Sequence, residues 1–131
     1  MAKDLNVFDK EYGLLINGAW TKPGALLDSY NPANGEALAK FTDATDADVD
    51  AAVAAAQEAF KTWRKTTATE RAAILNKIAD VIDENLELFA LQETLDNGKP
   101  IRETRAADIP LASDHFRYFA SVIRGEEGTA T

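Results

Sequence analysis

No cysteine occurs anywhere in the 131 residues. Disulfides, thiolate metal sites and a cysteine nucleophile are therefore excluded from this chain. A single histidine, His115, cannot build a histidine cluster. Basic residues are scarce: 14 Lys+Arg stand against 22 Asp+Glu, for a formal net charge of −8. Non-specific nucleic-acid binding needs a basic face, so no nucleic-acid partner is expected. The acid excess serves solubility. Glycines at 13, 18, 24, 35, 98, 125 and 128 are too scattered to cradle a phosphate. No catalytic or cofactor-binding residue is assigned. No apolar run approaches the roughly 20 residues that cross a bilayer. The opening MAKDLNVF also lacks the apolar core of a signal peptide. The expectation is a cytoplasmic protein with no membrane partner.

What is present is ordinary globular material, 46% hydrophobic and 27% charged. The length suits one domain that buries roughly two-thirds of its unfolded surface. The most organised stretch runs from Thr67 to Pro100. It opens with Thr67-x-x-Glu70, a capping box in which each side chain satisfies the other residue's free N–H. Ile74, Leu75, Ile78, Ile82, Leu86 and Phe89 follow at helical spacing. Asn97-Gly98 closes the stretch, and Pro100 suits the first turn of a new helix. One long helix, or two end to end, is expected over 67–98.

Residues 1–13 read as an arm and 14–41 as short strands. Leu14-Leu15-Ile16 ends at Asn17-Gly18, a hairpin signal, and Ala19-Trp20 begins the return strand with Trp20 as a packing residue. Strands near 28–31 and 36–41 flank the tight turn Asn31-Pro32-Ala33-Asn34-Gly35. Together they predict a small antiparallel sheet. Helices fill 45–125. Thr45 caps the first, over about 45–65, and Val49, Val53, Ala56, Phe60 and Trp63 form its packing stripe. The third, over 100–125, carries Pro110, which predicts a bend near Ala107–Asp108 with Asp108 capping the second half. Ala112, Phe116, Phe119, Ala120 and Ile123 make its stripe, Gly125 stops it, and the chain trails off from Glu126.

The carboxylates Asp80, Asp83, Glu84, Glu103 and Asp108 read as solvated faces. His115 reads as a half-buried structural residue, since no partner carboxylate is identified. Asp96 is the polar residue to single out; from its place beside Asn97-Gly98 it reads as a residue that caps or trims the helix end.

The segments LLINGAW, SYNPANGEALAKF, ATERAAIL, LFALQETLDNGKP and ADIPLASDHFRYFASVIR resemble, in order, the N-terminal region of the NAD(P)-dependent aldehyde dehydrogenases. The last is closest to bacterial acetaldehyde and aliphatic aldehyde enzymes. The resemblance implies an α/β parent fold. Residues 1–131 are then the N-terminal part of its cofactor-binding domain, mostly α with short N-terminal antiparallel strands. It implies a parent enzyme that oxidises aldehydes to acids with NAD or NADP, through a cysteine thiolate, a glutamate-activated water and an asparagine at the oxyanion. None of those motifs falls within this chain, so the segment alone is expected to be inactive and to bind no cofactor. The family also holds a monovalent cation with an aspartate matching Asp96 and a main-chain carbonyl matching Ser29 or Tyr30, here an incomplete site. The expected partners are the rest of a parent chain and further copies of this one. A stand-alone helical interaction or structural module is the alternative.

Overall fold

The computed structural model describes residues 11–125. Residues 1–10 of the arm expected at 1–13, and the tail from Glu126, lie outside the described residues; within that arm Glu11–Tyr12 form a strand instead. Two units divide the chain. The first runs to Lys65 and includes Leu95–Gly98; the second holds Thr66–Thr94 and the residues from Lys99 onward.

The first unit contains β1 (Glu11–Tyr12), β2 (Leu15–Ile16), β3 (Ala19–Trp20), β4 (Leu26–Tyr30), β5 (Ala37–Thr42) and α1 (Asp46–Trp63). The hairpin forms as its turn signal required: Leu15 pairs Trp20 and Ile16 pairs Ala19. Asn17 and Gly18 both take positive φ, 53° and 75°. That combination matches the twist of the flanking strands. A separate sheet has the order β1-β5-β4. Here the expectation of one antiparallel sheet is corrected, because β1 pairs β5 in parallel, Glu11 with Lys40 and Tyr12 with Phe41. Two residues show no readable alternation. A long-range bond marks the end of the pairing instead, from Thr42 Oγ1 to the Tyr12 carbonyl at 2.9 Å. Gly13 sits so close to the chain ahead that an added Cβ would lie 2.1 Å from the Thr21 carbonyl oxygen.

Thr45 caps α1, and the box is completed by Asp48, whose carboxylate accepts from Thr45 N at 2.9 Å. No residue of α1 is buried. The packing stripe is therefore corrected: Val53 and Phe60 are 51% and 57% exposed, and Trp63 and Trp20 are exposed as well. It is the alanine face that meets the hairpin, with Ala52, Ala55, Ala56 and Ala59 lining a shallow groove beside Leu15–Gly18.

The second unit begins with α2 (Ala68–Glu84), capped by the Thr67–Glu70 box. The long helix resolves into two. At Asn85 the backbone leaves helical geometry, and the side-chain amide donates back to the Val81 carbonyl at 2.7 Å. Asparagine competes in this way with the helical ladder. Next comes α3 (Leu86–Asn97), whose last residues belong to the first unit. A short α4 (Ile101–Glu103) follows Pro100, then a π-helical turn over Thr104–Asp108, then α5 (Ile109–Val122). The Ile109 N–H reaches five residues back to the Thr104 carbonyl. This wide turn absorbs Pro110, whose ring would otherwise press on the carbonyl of Ala106. The expected cap of α5 by Asp108 is corrected: its backbone is helical, its side chain makes no cap bond, and its carboxylate binds Lys99 Nζ at 2.5 Å. That bond holds the Lys99 ammonium above its usual lysine pKa.

Against α2 lies α5, with Ala79 and Ser113 at the contact. Ala79 is fully buried and Ser113 nearly so. Ser113 Oγ donates to the Ala79 carbonyl at 3.4 Å. At the rim the Arg117 guanidinium forks onto Asp80 and Asp83. A hydrogen bond from Ser113, then the Arg117 guanidinium, holds the Asp83 carboxyl below the usual carboxylate range. The single Ser113 hydroxyl proton serves either Ala79 or Asp83 at one time. Thr104 is wholly buried, its hydroxyl within 3.0 Å of the Ala90 carbonyl and 2.9 Å of Thr94 Oγ1.

Two outcomes follow. Gly98 has φ +83°, and a Cβ there would sit 2.8 Å from Pro32 Cγ, whereas Gly35 has φ +76° and open space. Gly98→Ala should cost about 1–3 kcal/mol in urea unfolding, more than Gly35→Ala, where backbone strain acts alone. Equal losses would remove the contact with Pro32 from the account. The folded-state pKa values of Asp48, Glu70 and Asp83 are all depressed. Their contribution to stability is complete above the unfolded carboxylate pKa of about 4 and fades as pH falls through the folded values. Thr67→Ala should lose about 1 kcal/mol at pH 7 and less in acid, where Glu70 is protonated. An equal loss at both pH values would contradict it.

Candidate cation site

Residues of β4 and the end of α3 converge within the first unit. Along β4 the side chains alternate, so Asp28 and Tyr30 share one face and Ser29 takes the other. Asp28 pairs with Lys40 across the ladder at 3.0 Å and accepts from the Tyr30 hydroxyl at 3.4 Å. Its carboxylate holds the Lys40 ammonium above its usual pKa. The register shifts between Ser29 and Tyr30: Ser29 faces Ala39, but Tyr30 faces Ala37. The extra residue is Leu38 on β5, and such a bulge bends that strand.

The turn after β4 is built by its own polar groups. Asn31 Oδ1 accepts from Ala33 N at 2.9 Å, and the Asn31 carbonyl accepts from Gly35 N at 2.8 Å. Pro32 then lies against Gly98 at the close of α3. Two residues earlier, Asp96 Oδ1 accepts a hydrogen bond from Ser29 Oγ at 2.6 Å. Ser29 is half-buried and Asp96 exposed.

Ser29 and Asp96, named through the family resemblance, thus meet directly. Asp96 lies within the last turn of α3, and its carboxylate reaches across to the strand. The donors offered are all oxygen, the type that hard cations take, but such ions take about six or more. One carboxylate, one hydroxyl and a main-chain carbonyl fall short of that number. Among the described residues no group of three His, Cys, Asp or Glu is placed to hold a metal.

His115 is exposed on α5, not half-buried, which corrects that reading. Asp80 and Asp83 do lie at the surface, but as partners of Arg117. Sequence reasoning missed this fork, because residues on two separate helices show no spacing rule. It also missed the approach of Gly98 to Pro32. Both turns were readable singly, and nothing local announced that they touch.

Residues 20–131 match the family described as "Aldehyde dehydrogenase family". The chain is 50% identical over 125 residues to acetaldehyde dehydrogenase 2 of Cupriavidus necator, an alignment that covers 94% of this chain and 25% of that protein. Among solved structures, an NAD-dependent aldehyde dehydrogenase from Sinorhizobium meliloti superposes with a TM-score of 0.87 at 32% identity, over 98% of this chain and 26% of the other. The NAD+ complex of a Bacillus cereus aldehyde dehydrogenase gives 0.83 at 38% identity, over 87% and 24%. This chain spans about a quarter of the length of each of these relatives. Its short strands and following helices form a segment of their fold. By the family match along most of its length and by these superpositions, the chain belongs to the aldehyde dehydrogenase family.

Proposed function

We propose that this chain is the N-terminal segment of an NAD(P)-dependent dehydrogenase that oxidises aldehydes to carboxylic acids, and that the segment alone does not catalyse that reaction. The observation that carries the reading is a family match over residues 20–131 in a sequence with no cysteine. The thiolate nucleophile implied by the family resemblance has no residue here to supply it. No Gly-rich phosphate loop is present either, so the cofactor's site belongs to other parts of the parent. The segment's own contribution is architectural. The cytoplasm is the compartment this reading favours, and among the described residues no helix is long and apolar enough to cross a membrane.

The same reading gives the chain two partners, the remainder of the parent and another copy of itself. Leu15, Trp20, Phe60, Tyr118 and Phe119 are each more than half exposed. Each large apolar side chain left in water forgoes roughly 1.5–3 kcal/mol of burial. Leu15, Trp20 and Phe60 in the first unit, and Tyr118 and Phe119 in the second, are the side chains through which association would run.

Asp96 and the Ser29 or Tyr30 carbonyl would contribute to a monovalent-cation site completed by other ligands. The ion would supply positive charge that ties the end of α3 to β4. Its role is structural, and no chemical step is assigned to it.

Two outcomes test the proposal. The purified chain, free of host enzyme, should produce no NADH from acetaldehyde and NAD+; turnover that scales with chain concentration would overturn the reading. In the full-length parent, Asp96→Ala should lower Tm and abolish its response to added potassium or sodium, with single-turnover hydride transfer retained. Loss of hydride transfer with stability and cation response unchanged would reject the structural role.

A further inference from the structure

The chain carries three Asn-Gly pairs, at Asn17-Gly18, Asn34-Gly35 and Asn97-Gly98. In such a pair the glycine nitrogen is unhindered enough to attack the preceding side-chain amide. We propose that Asn17-Gly18, alone of the three, is a site of spontaneous deamidation and isoaspartate formation in the folded protein. All three asparagines are exposed, so access to water does not distinguish them. Their restraints do.

At Asn34 both reacting groups are occupied. Its Oδ1 accepts from Glu36 N at 3.0 Å, and its Nδ2 donates to Glu36 Oε2 at 2.8 Å. The attacking group, Gly35 N–H, is itself bound to the Asn31 carbonyl at 2.8 Å. At Asn97 the backbone is the last residue of α3, and Gly98 is wedged against Pro32. Turning the Gly98 nitrogen toward the Asn97 side chain would unwind that helix end and break the contact.

Asn17 has neither restraint. Among the described residues its side chain has no hydrogen-bond partner, and nothing lies within 4 Å of the Cβ position at Gly18. Its backbone is held at φ 53°, a conformation a non-glycine residue adopts at some cost. The hairpin that holds it there pairs two residues per strand, Leu15–Ile16 and Ala19–Trp20, and is closed at its open end by Thr21 N donating to the Leu14 carbonyl at 2.8 Å and Leu14 N donating to Thr21 Oγ1 at 2.9 Å. So small a ladder opens locally far more readily than a packed helix end.

The reaction balances as follows. Solvent base removes the Gly18 amide proton, and the nitrogen bonds to Asn17 Cγ. The Cγ–Nδ2 bond breaks, and Nδ2 leaves as ammonia, giving a cyclic imide. Water then opens either imide carbonyl, yielding aspartate or isoaspartate. The sum is one water consumed and one ammonia released. The product adds a negative charge at the hairpin tip, and the isoaspartate branch lengthens the backbone by a methylene. A two-residue turn cannot absorb that insertion without losing the Ile16–Ala19 pairing.

The test is incubation of the folded chain at mildly alkaline pH, with peptide mapping by mass spectrometry and isoaspartate-specific methylation at each pair. Conversion at residue 17 should run roughly tenfold faster than at 34 or 97, equivalent to ~1.4 kcal/mol in local opening. In strong denaturant the three rates should converge. An Asn17→Gly variant keeps the positive φ and removes the amide; the dominant acidic species should vanish, with conversion at 34 and 97 unchanged. Conversion at 34 or 97 as fast as at 17 in the folded chain would overturn the proposal. So would a residue 17 that converts only in denaturant.

Discussion

Ala79 on α2 and Ser113 on α5 meet where the second unit has its tightest contact, and both are nearly or wholly withdrawn from water. Small side chains at such a crossing let two helix backbones come close, and the interaxial distance follows the residues at the contact. The other features of this unit follow that approach. Arg117 can fork onto Asp80 and Asp83 only because its helix lies so near α2. Thr104 is sealed in by Ala90 and Thr94, and its hydroxyl finds partners there instead of water. The π turn at 104–108 lets α5 continue past Pro110 without breaking away.

A fold held by alanines and serines gains little from each contact. Among the described residues the buried hydrophobic ones are Ala72, Ala79, Ala90 and Ala120. Leu75, Ile82, Phe89 and Phe116 are half-buried, and several other large apolar side chains are at the surface: Ile78 and Val81 on α2, Leu111 and Phe119 on α5, and Val53 and Phe60 on α1. Surface ion pairs do not make up the difference, since exposed pairs are worth little. The capping boxes at Thr45 and Thr67 secure helix starts but bury nothing. These exposed faces are the ones that the proposed partners would cover. Relatives four times its length are the natural comparison for that cover.

Local signals carried most of the fold. The Thr67–Glu70 capping box, the Thr45 cap, the Asn17-Gly18 turn, the Gly98 helix close and the strand on each side of Asn31–Gly35 were legible, because each is written within a few neighbouring residues. Two features escaped for lack of local pattern. A two-residue strand such as Glu11–Tyr12 shows no period, and its partner lies about thirty residues on. Pro110 announced a disturbance, yet whether a helix breaks or widens there depends on what Thr104 packs against. Reading apolar stripes as buried core failed on α1, since periodicity identifies an apolar face and says nothing of whether another element covers it. At the candidate site, Asp96 and Ser29 were named through the family resemblance; their direct contact needed the structure.

The central physical claim is that these apolar faces are incomplete without a partner. Size exclusion with in-line light scattering, run across micromolar concentrations, tests it most directly. The account predicts a mass of two or more chains, held from spreading into amorphous aggregate by the net charge of −8. A monodisperse monomer at every concentration, unfolding in one cooperative step, would contradict it.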